Sequence, residues 1–189
     1  MADILTLEEA KNYLRIDYNE DDTLLQSLMI AAIDYLRDAI NDFDKKVTKE
    51  KYKEKFFSFL KGIKNIDKEI EEFWLRNEKK IKQWYLNQKN KEDVVISASP
   101  EWLLSPIINN LGINLIATKV NKETGRFNSL NCYGNEKVKR FKEKFPNGEI
   151  ENFYSDHHSD TPMFLISKNA WIVKGEKIEK WTDGKEQIK

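Results

Sequence analysis

Residues 91–189 alternate short apolar runs with amphipathic stretches, and that alternation restricts the fold more than any other property of the chain. Val94–Ser97 reads as a strand, Pro100–Leu111 as a helix with Pro100 suited to its first turn, and Asn114–Lys119 as a second strand. A turn at Glu123-Thr124-Gly125-Arg126 precedes a helix over Asn135–Phe145, which ends at Pro146-Asn147-Gly148. A third strand over Glu151–Ser155, a helix over Asp160–Lys168 and a last strand over Ala170–Val173 complete the pattern. Strand–helix alternation predicts an α/β fold with a parallel sheet and right-handed crossovers. Open sheets of this kind build ligand sites at the C-terminal ends of their strands. Here those ends carry Ser97-Ala98-Ser99 and Ser155-Asp156-His157-His158-Ser159-Asp160, while Gly134-Asn135-Glu136-Lys137 places a lysine on the intervening helix. A hydroxyl, a lysine and a pair of aspartates, in that order, suit a phosphate held beside a divalent metal.

The residues before this region read as helical. Lys49–Leu60 carries Tyr52, Phe56, Phe57 and Leu60 on one side, Gly62–Asn65 interrupt it, and Asp67 is placed to cap a helix over Lys68–Gln88. Aromatics among lysines, such as Phe73, Trp74, Trp84 and Tyr85, are also what stacks on single-stranded nucleic acid. Their helical spacing and the balancing acids favour two amphipathic helices packed together. Further upstream, Thr6-Leu7-Glu8-Glu9 has the form of a capping box, opening a helix through Leu14 or Ile16. After the acidic turn Asp17–Asp22, a second helix reaches Ile40 with Leu25, Leu28, Met29, Ala32, Leu36 and Ile40 in one stripe. The acidic turn lacks the central glycine and terminal glutamate of a calcium loop, so capping and solvation account for it. The stripe must be buried on the rest of the chain or on another copy, and the second option would make residues 1–47 a surface for homo-oligomerisation.

Charge narrows the partners. Lys+Arg and Asp+Glu are 32 each, which argues against a basic nucleic-acid footprint. Cys132 is the only cysteine, so no intrachain disulfide forms and a reducing compartment fits. The acidic N-terminus is unlike a signal peptide, and no apolar run reaches membrane-spanning length. A soluble cytoplasmic protein without nucleic-acid or membrane partners is the expectation.

Two resemblances sharpen this reading. Leu5-Thr6-Leu7-Glu8-Glu9-Ala10-Lys11-Asn12-Tyr13-Leu14-Arg15-Ile16-Asp17, then Asp21-Asp22 and the helix to Ile40, resemble the start of phage head–tail connector proteins. That resemblance implies a helical, ring-forming assembly role for the arm. Val94-Val95-Ile96-Ser97-Ala98-Ser99-Pro100-Glu101, Leu111-Gly112-Ile113, Gly134-Asn135-Glu136-Lys137 and Tyr154-Ser155-Asp156 with Asp160, Pro162 and Met163 resemble the haloacid dehalogenase (HAD) superfamily. The nearest branch is that of the phosphoserine-phosphatase-like enzymes, over about residues 48–182. It implies a HAD-like Rossmannoid core over 91–182, a helical cap over 48–90 and a polar tail over 183–189. By this resemblance Ser97 and Ala98 bind the transferring phosphoryl group, Lys137 neutralises it, and Asp156, supported by Asp160, holds Mg²⁺. The implied substrate is a small phosphorylated metabolite. His157-His158 is read as loop filler lining the pocket, since the chain has no further histidine to complete a metal site.

The same resemblance requires an apolar strand ending in Asp-x-Asp, central in the sheet between the strands of Ser97 and Asp156. The Asp-x-Asp upstream is Asp42-Phe43-Asp44, with Asp42 as nucleophile and Asp44 as general acid. The preceding Tyr35–Asn41 reads as a helix end, which favours a polar linker there. Without a central strand, those bearing Ser97 and Asp156 must pair directly, or something must fill the slot between them. A relic of the enzyme, serving assembly through the arm, is the alternative that this leaves open.

Overall fold

The computed structural model describes residues 49–182 of the chain. The connector-like arm, the Asp42 and Asp44 candidates and the polar tail lie outside the described residues. The described part opens with helix α1 (Lys49–Phe56), which tightens into a 3₁₀ segment over Phe57–Gly62. Asn65, and not Asp67, caps the next helix, its side-chain oxygen accepting from the Lys68 amide at 3.1 Å. A cap must sit outside the helix with non-helical backbone. Asp67 already lies in the first turn, and its carboxylate pairs with Lys122 at 2.8 Å.

The long helix expected over Lys68–Gln88 is broken. Helix α2 (Ile66–Asn77) passes through a 3₁₀ turn at Glu78–Lys80 and extended backbone at Ile81 and Lys82 into α3 (Gln83–Gln88). Two different anchors account for the break. The Trp74 indole donates to the Leu103 carbonyl at 2.6 Å, tying α2 to the α/β region, while the Trp84 ring on α3 packs at a tilt against Tyr154, centroids 5.1 Å apart. One straight helix cannot serve both contacts.

Strand β1 (Val94–Pro100) leads through Pro100, whose backbone is extended, into α4 (Glu101–Leu111). Helix α4 closes at Gly112, whose φ of 67° is the left-handed cap that glycine adopts without steric cost. Strand β2 (Asn114–Thr118) pairs parallel with β1, Val94 opposite Asn114 and Ser97 opposite Ala117. Helix α5 (Asn135–Lys144) then leads to β3 (Ile150–Ser155), which pairs parallel with β4 (Ser167–Lys174). The helix expected over Asp160–Lys168 is shorter. A 3₁₀ turn at His158–Asp160 precedes α6 (Thr161–Leu165), and Ser167 already begins β4 while its hydroxyl donates to the Phe164 carbonyl at 2.8 Å. A strand absent from the sequence reading, β5 (Lys177–Lys180), folds back antiparallel on β4. Gly175, with φ 62°, starts its two-residue turn, the position where a tight hairpin needs glycine.

The strands form a two-stranded sheet, β1–β2, and a three-stranded sheet, β3–β4–β5. Strands β1 and β3 therefore do not pair directly, and each keeps one edge without a ladder partner among the described residues. One core nevertheless serves both sheets. Ile116, Cys132, Phe141 and Met163 are buried together, with Val94 and Ile96 of β1 and Ile150 and Phe153 of β3 packed against them. All residues from Val94 to Ser99 remain half-buried, although a continuous apolar run usually belongs to a strand covered on both faces.

Candidate functional site at the strand ends

The end of β1 presents Ser97, Ala98 and Ser99. The Ser99 amide donates to Ser97 Oγ at 3.1 Å, so the hydroxyl is held from behind. The Ala98 carbonyl lies 3.1 Å from Thr118 Oγ1, the buried last residue of β2, and 3.5 Å from the ammonium of Lys53 on α1. Lys53 also donates to Asn131 Oδ1 at 3.0 Å, and the Cys132 amide donates to Thr118 Oγ1 at 2.9 Å. A polar network thus joins α1, the ends of β1 and β2, and the loop before α5.

Lys137 stands in the first turn of α5, following Gly134, whose φ of 56° turns the chain into the helix. Its side chain is 10% exposed, and its ammonium lies 2.6 Å from Asp160 Oδ1. This is not the ordinary surface lysine that its position in a polar helix would suggest. Asp160 occupies the cap position of α6 without capping it by a side-chain hydrogen bond. Its Oδ2 instead accepts from Ser155 Oγ at 2.9 Å. Oδ1 is buried and faces the ammonium as a charge pair, without an aligned hydrogen bond. Asp156, one residue beyond β3, is exposed. The two aspartates read as one metal-holding pair therefore differ: Asp160 turns inward to Lys137 and Ser155, and Asp156 outward.

The histidines have structural partners. His157 Nδ1 accepts from the Ser159 amide at 2.9 Å, and the His158 ring lies edge-on to Trp181 at 5.1 Å. Cys132 is completely buried, and burial pushes its thiol pKa up despite the opposing charges of Arg140 and Lys137. Arg140 links α5 to the strand edge, donating from Nη1 to the Ala117 carbonyl at 2.8 Å and from Nη2 to Ser129 Oγ at 3.1 Å.

Sequence reasoning passed over Lys53, Thr118, Asn131 and Arg140. Thr118 carried a signal, being a polar residue at the end of an apolar strand. Lys53 carried none, since it is one lysine among many in its helix.

An α/β chain whose polar residues gather where parallel strands end has the architecture of an enzyme that binds its ligand at the sheet edge. A family model described as haloacid dehalogenase-like hydrolase matches residues 19–165, and the chain belongs to that family. The match starts well before residue 48, where the motif resemblance began, and takes in Asp42, Asp44 and much of the connector-like arm. No curated protein and no solved structure is significantly similar to the chain.

Proposed function

We propose that this chain is a Mg²⁺-dependent phosphomonoester hydrolase of the phosphoserine-phosphatase-like kind, acting on a small phosphorylated metabolite in the cytoplasm. The observation that carries the reading is the buried Lys137–Asp160 pair next to the exposed Asp156, in a chain of the hydrolase family. Burying a lysine ammonium is costly unless its charge is used or matched. Asp160 and Ser155 fix that ammonium at the mouth of the sheet, where a phosphoryl group can share it.

Ser97 donates its hydroxyl to a phosphoryl oxygen, and the Ala98 amide adds a second donor. Among the described residues no group of three or more His, Cys, Asp or Glu side chains is placed to hold a metal. The donor set still fits Mg²⁺, which takes one or two carboxylates and completes its shell with phosphate and water. Asp156 is a solvent-facing carboxylate that would hold the ion, and Asp160, engaged by Lys137 and Ser155, would support it from behind. When bound, the ion would neutralise phosphate charge. Asp42 is the nucleophile of this reading: its carboxylate attacks phosphorus as the ester oxygen leaves. Asp44 gives that oxygen a proton, and water then cleaves the acyl phosphate.

Hydrolysis of an aryl phosphate by the purified chain, with Mg²⁺ or with EDTA, tests the proposal. Turnover should need the metal and fall by at least about a hundredfold in Asp156→Asn and Asp42→Asn. A cooperatively folded protein without metal-dependent turnover would refute it.

A further inference from the structure

We infer that Lys53 is a positioning residue of the proposed phosphate site, acting through Thr118 and the Ala98–Ser99 peptide on the hydroxyl of Ser97. The inference rests on the reading of Ser97 as a phosphate ligand and adds to it a residue from outside the sheet. It follows from counting protons. Thr118 has a single hydroxyl proton and two acceptors within reach, the Ala98 carbonyl at 3.1 Å and Asn131 Oδ1 at 3.3 Å. Its own oxygen already accepts from the Cys132 amide, which fixes where that oxygen sits.

The Lys53 ammonium, with three donors, reaches Asn131 Oδ1 at 3.0 Å and the Ala98 carbonyl itself at 3.5 Å, so it supplies both acceptors and biases the single Thr118 proton toward the Ala98 carbonyl. That carbonyl belongs to the same planar peptide as the Ser99 amide, which donates to Ser97 Oγ. The peptide is held at both ends. With an amide proton directed at its oxygen, Ser97 has its own proton left to give, and it finds no protein acceptor among the described residues. The order of donation runs from Lys53 to Asn131, from Thr118 to Ala98, and from Ser99 to Ser97, so that the last proton faces an incoming anion. Replacing Lys53 lets Asn131 compete for the Thr118 proton, frees the Ala98 carbonyl and loosens the peptide that aims Ser97.

Titration calorimetry of the full chain with inorganic phosphate in the presence of Mg²⁺ tests this. Lys53→Met should weaken phosphate binding by roughly three- to tenfold, the scale of one ordinary hydrogen bond lost at a distance from the ligand. Lys53→Arg, which keeps a cationic donor to Asn131, should restore most of it, and Thr118→Val should repeat the loss. The deciding readout is coupling: in a Ser97→Ala background, Lys53→Met should cost nothing further. An equal loss in both backgrounds would mean long-range attraction and overturn the inference, as would unchanged binding in Lys53→Met. Where Lys53→Met does not fold, Lys53→Ala, which also removes the donor, gives the same comparison. Phosphate binding that is absent, or indifferent to Ser97→Ala, would instead overturn the phosphate-site reading itself.

Discussion

At the scale of single residues, the chain treats similar side chains very differently. Asp156 and Asp160 lie four positions apart in one loop, yet one faces solvent and the other is locked to Lys137. A buried ion pair of this kind contributes little net stability, because desolvation offsets the attraction, but removing one partner strands the other charge. Tyr85 shows the same sensitivity to burial. Its hydroxyl is buried, and burial first, then the neighbouring Asp93 carboxylate, pushes its pKa from 10.0 to about 12. In this window the unfolded chain loses the phenolic proton while the folded chain keeps it, so folding stability must fall as pH rises. Urea midpoints followed across that range should decline in the parent protein and decline less in Tyr85→Phe. Equal declines would show that Tyr85 is not the group responsible.

At the scale of elements, local signals located the strands and helices, and packing decided where they stop. The helices α4 and α5 follow the apolar pattern within a residue, while β1 starts where expected and runs three residues further, to Pro100. The break at Ile81 does not, because it answers to Leu103 and Tyr154, which are distant in sequence. The turn over Asn121–Arg126 combines both influences. Asn121 Oδ1 accepts from the Glu123 and Thr124 amides at 3.1 and 2.7 Å, a local arrangement legible in the sequence. Gly125 then sits at φ 71° with its missing Cβ only 2.5 Å from the Phe57 carbonyl oxygen, a contact set by tertiary structure. Gly125→Ala should therefore cost about 2–4 kcal/mol, left-handed strain plus overlap with backbone. Gly112→Ala, at φ 67° with open space around it, should cost only about 1–2 kcal/mol. Chemical denaturation of both variants checks the difference, and equal costs would show that the Phe57 contact is unimportant.

At the scale of the whole molecule, two sheets that share no ladder among the described residues are joined by side chains. Phe141 on α5 lies in the cluster that receives Val94 and Ile96 from one sheet and Ile150 and Phe153 from the other. Phe141→Ala should destabilise the fold by about 3–5 kcal/mol. It should also speed amide exchange in β1–β2 and β3–β4 together, as measured by hydrogen–deuterium exchange. Faster exchange confined to one sheet would mean that the sheets are separate cooperative units.

The sequence by itself determined the α/β alternation, the parallel strands and the order of Ser97, Lys137, Asp156 and Asp160 along the chain. Those features depend on neighbours two to four residues away, where the periods of strand and helix leave a readable pattern. Only the tertiary structure decided that Asp160 turns inward, that β5 doubles back, that β1 and β3 share a core without pairing directly, and that Lys53 reaches the strand edge. Each of these depends on burial against a partner far along the chain, as Lys53 and Asn131 are, and such a partner leaves no mark on the local spacing of apolar and polar residues.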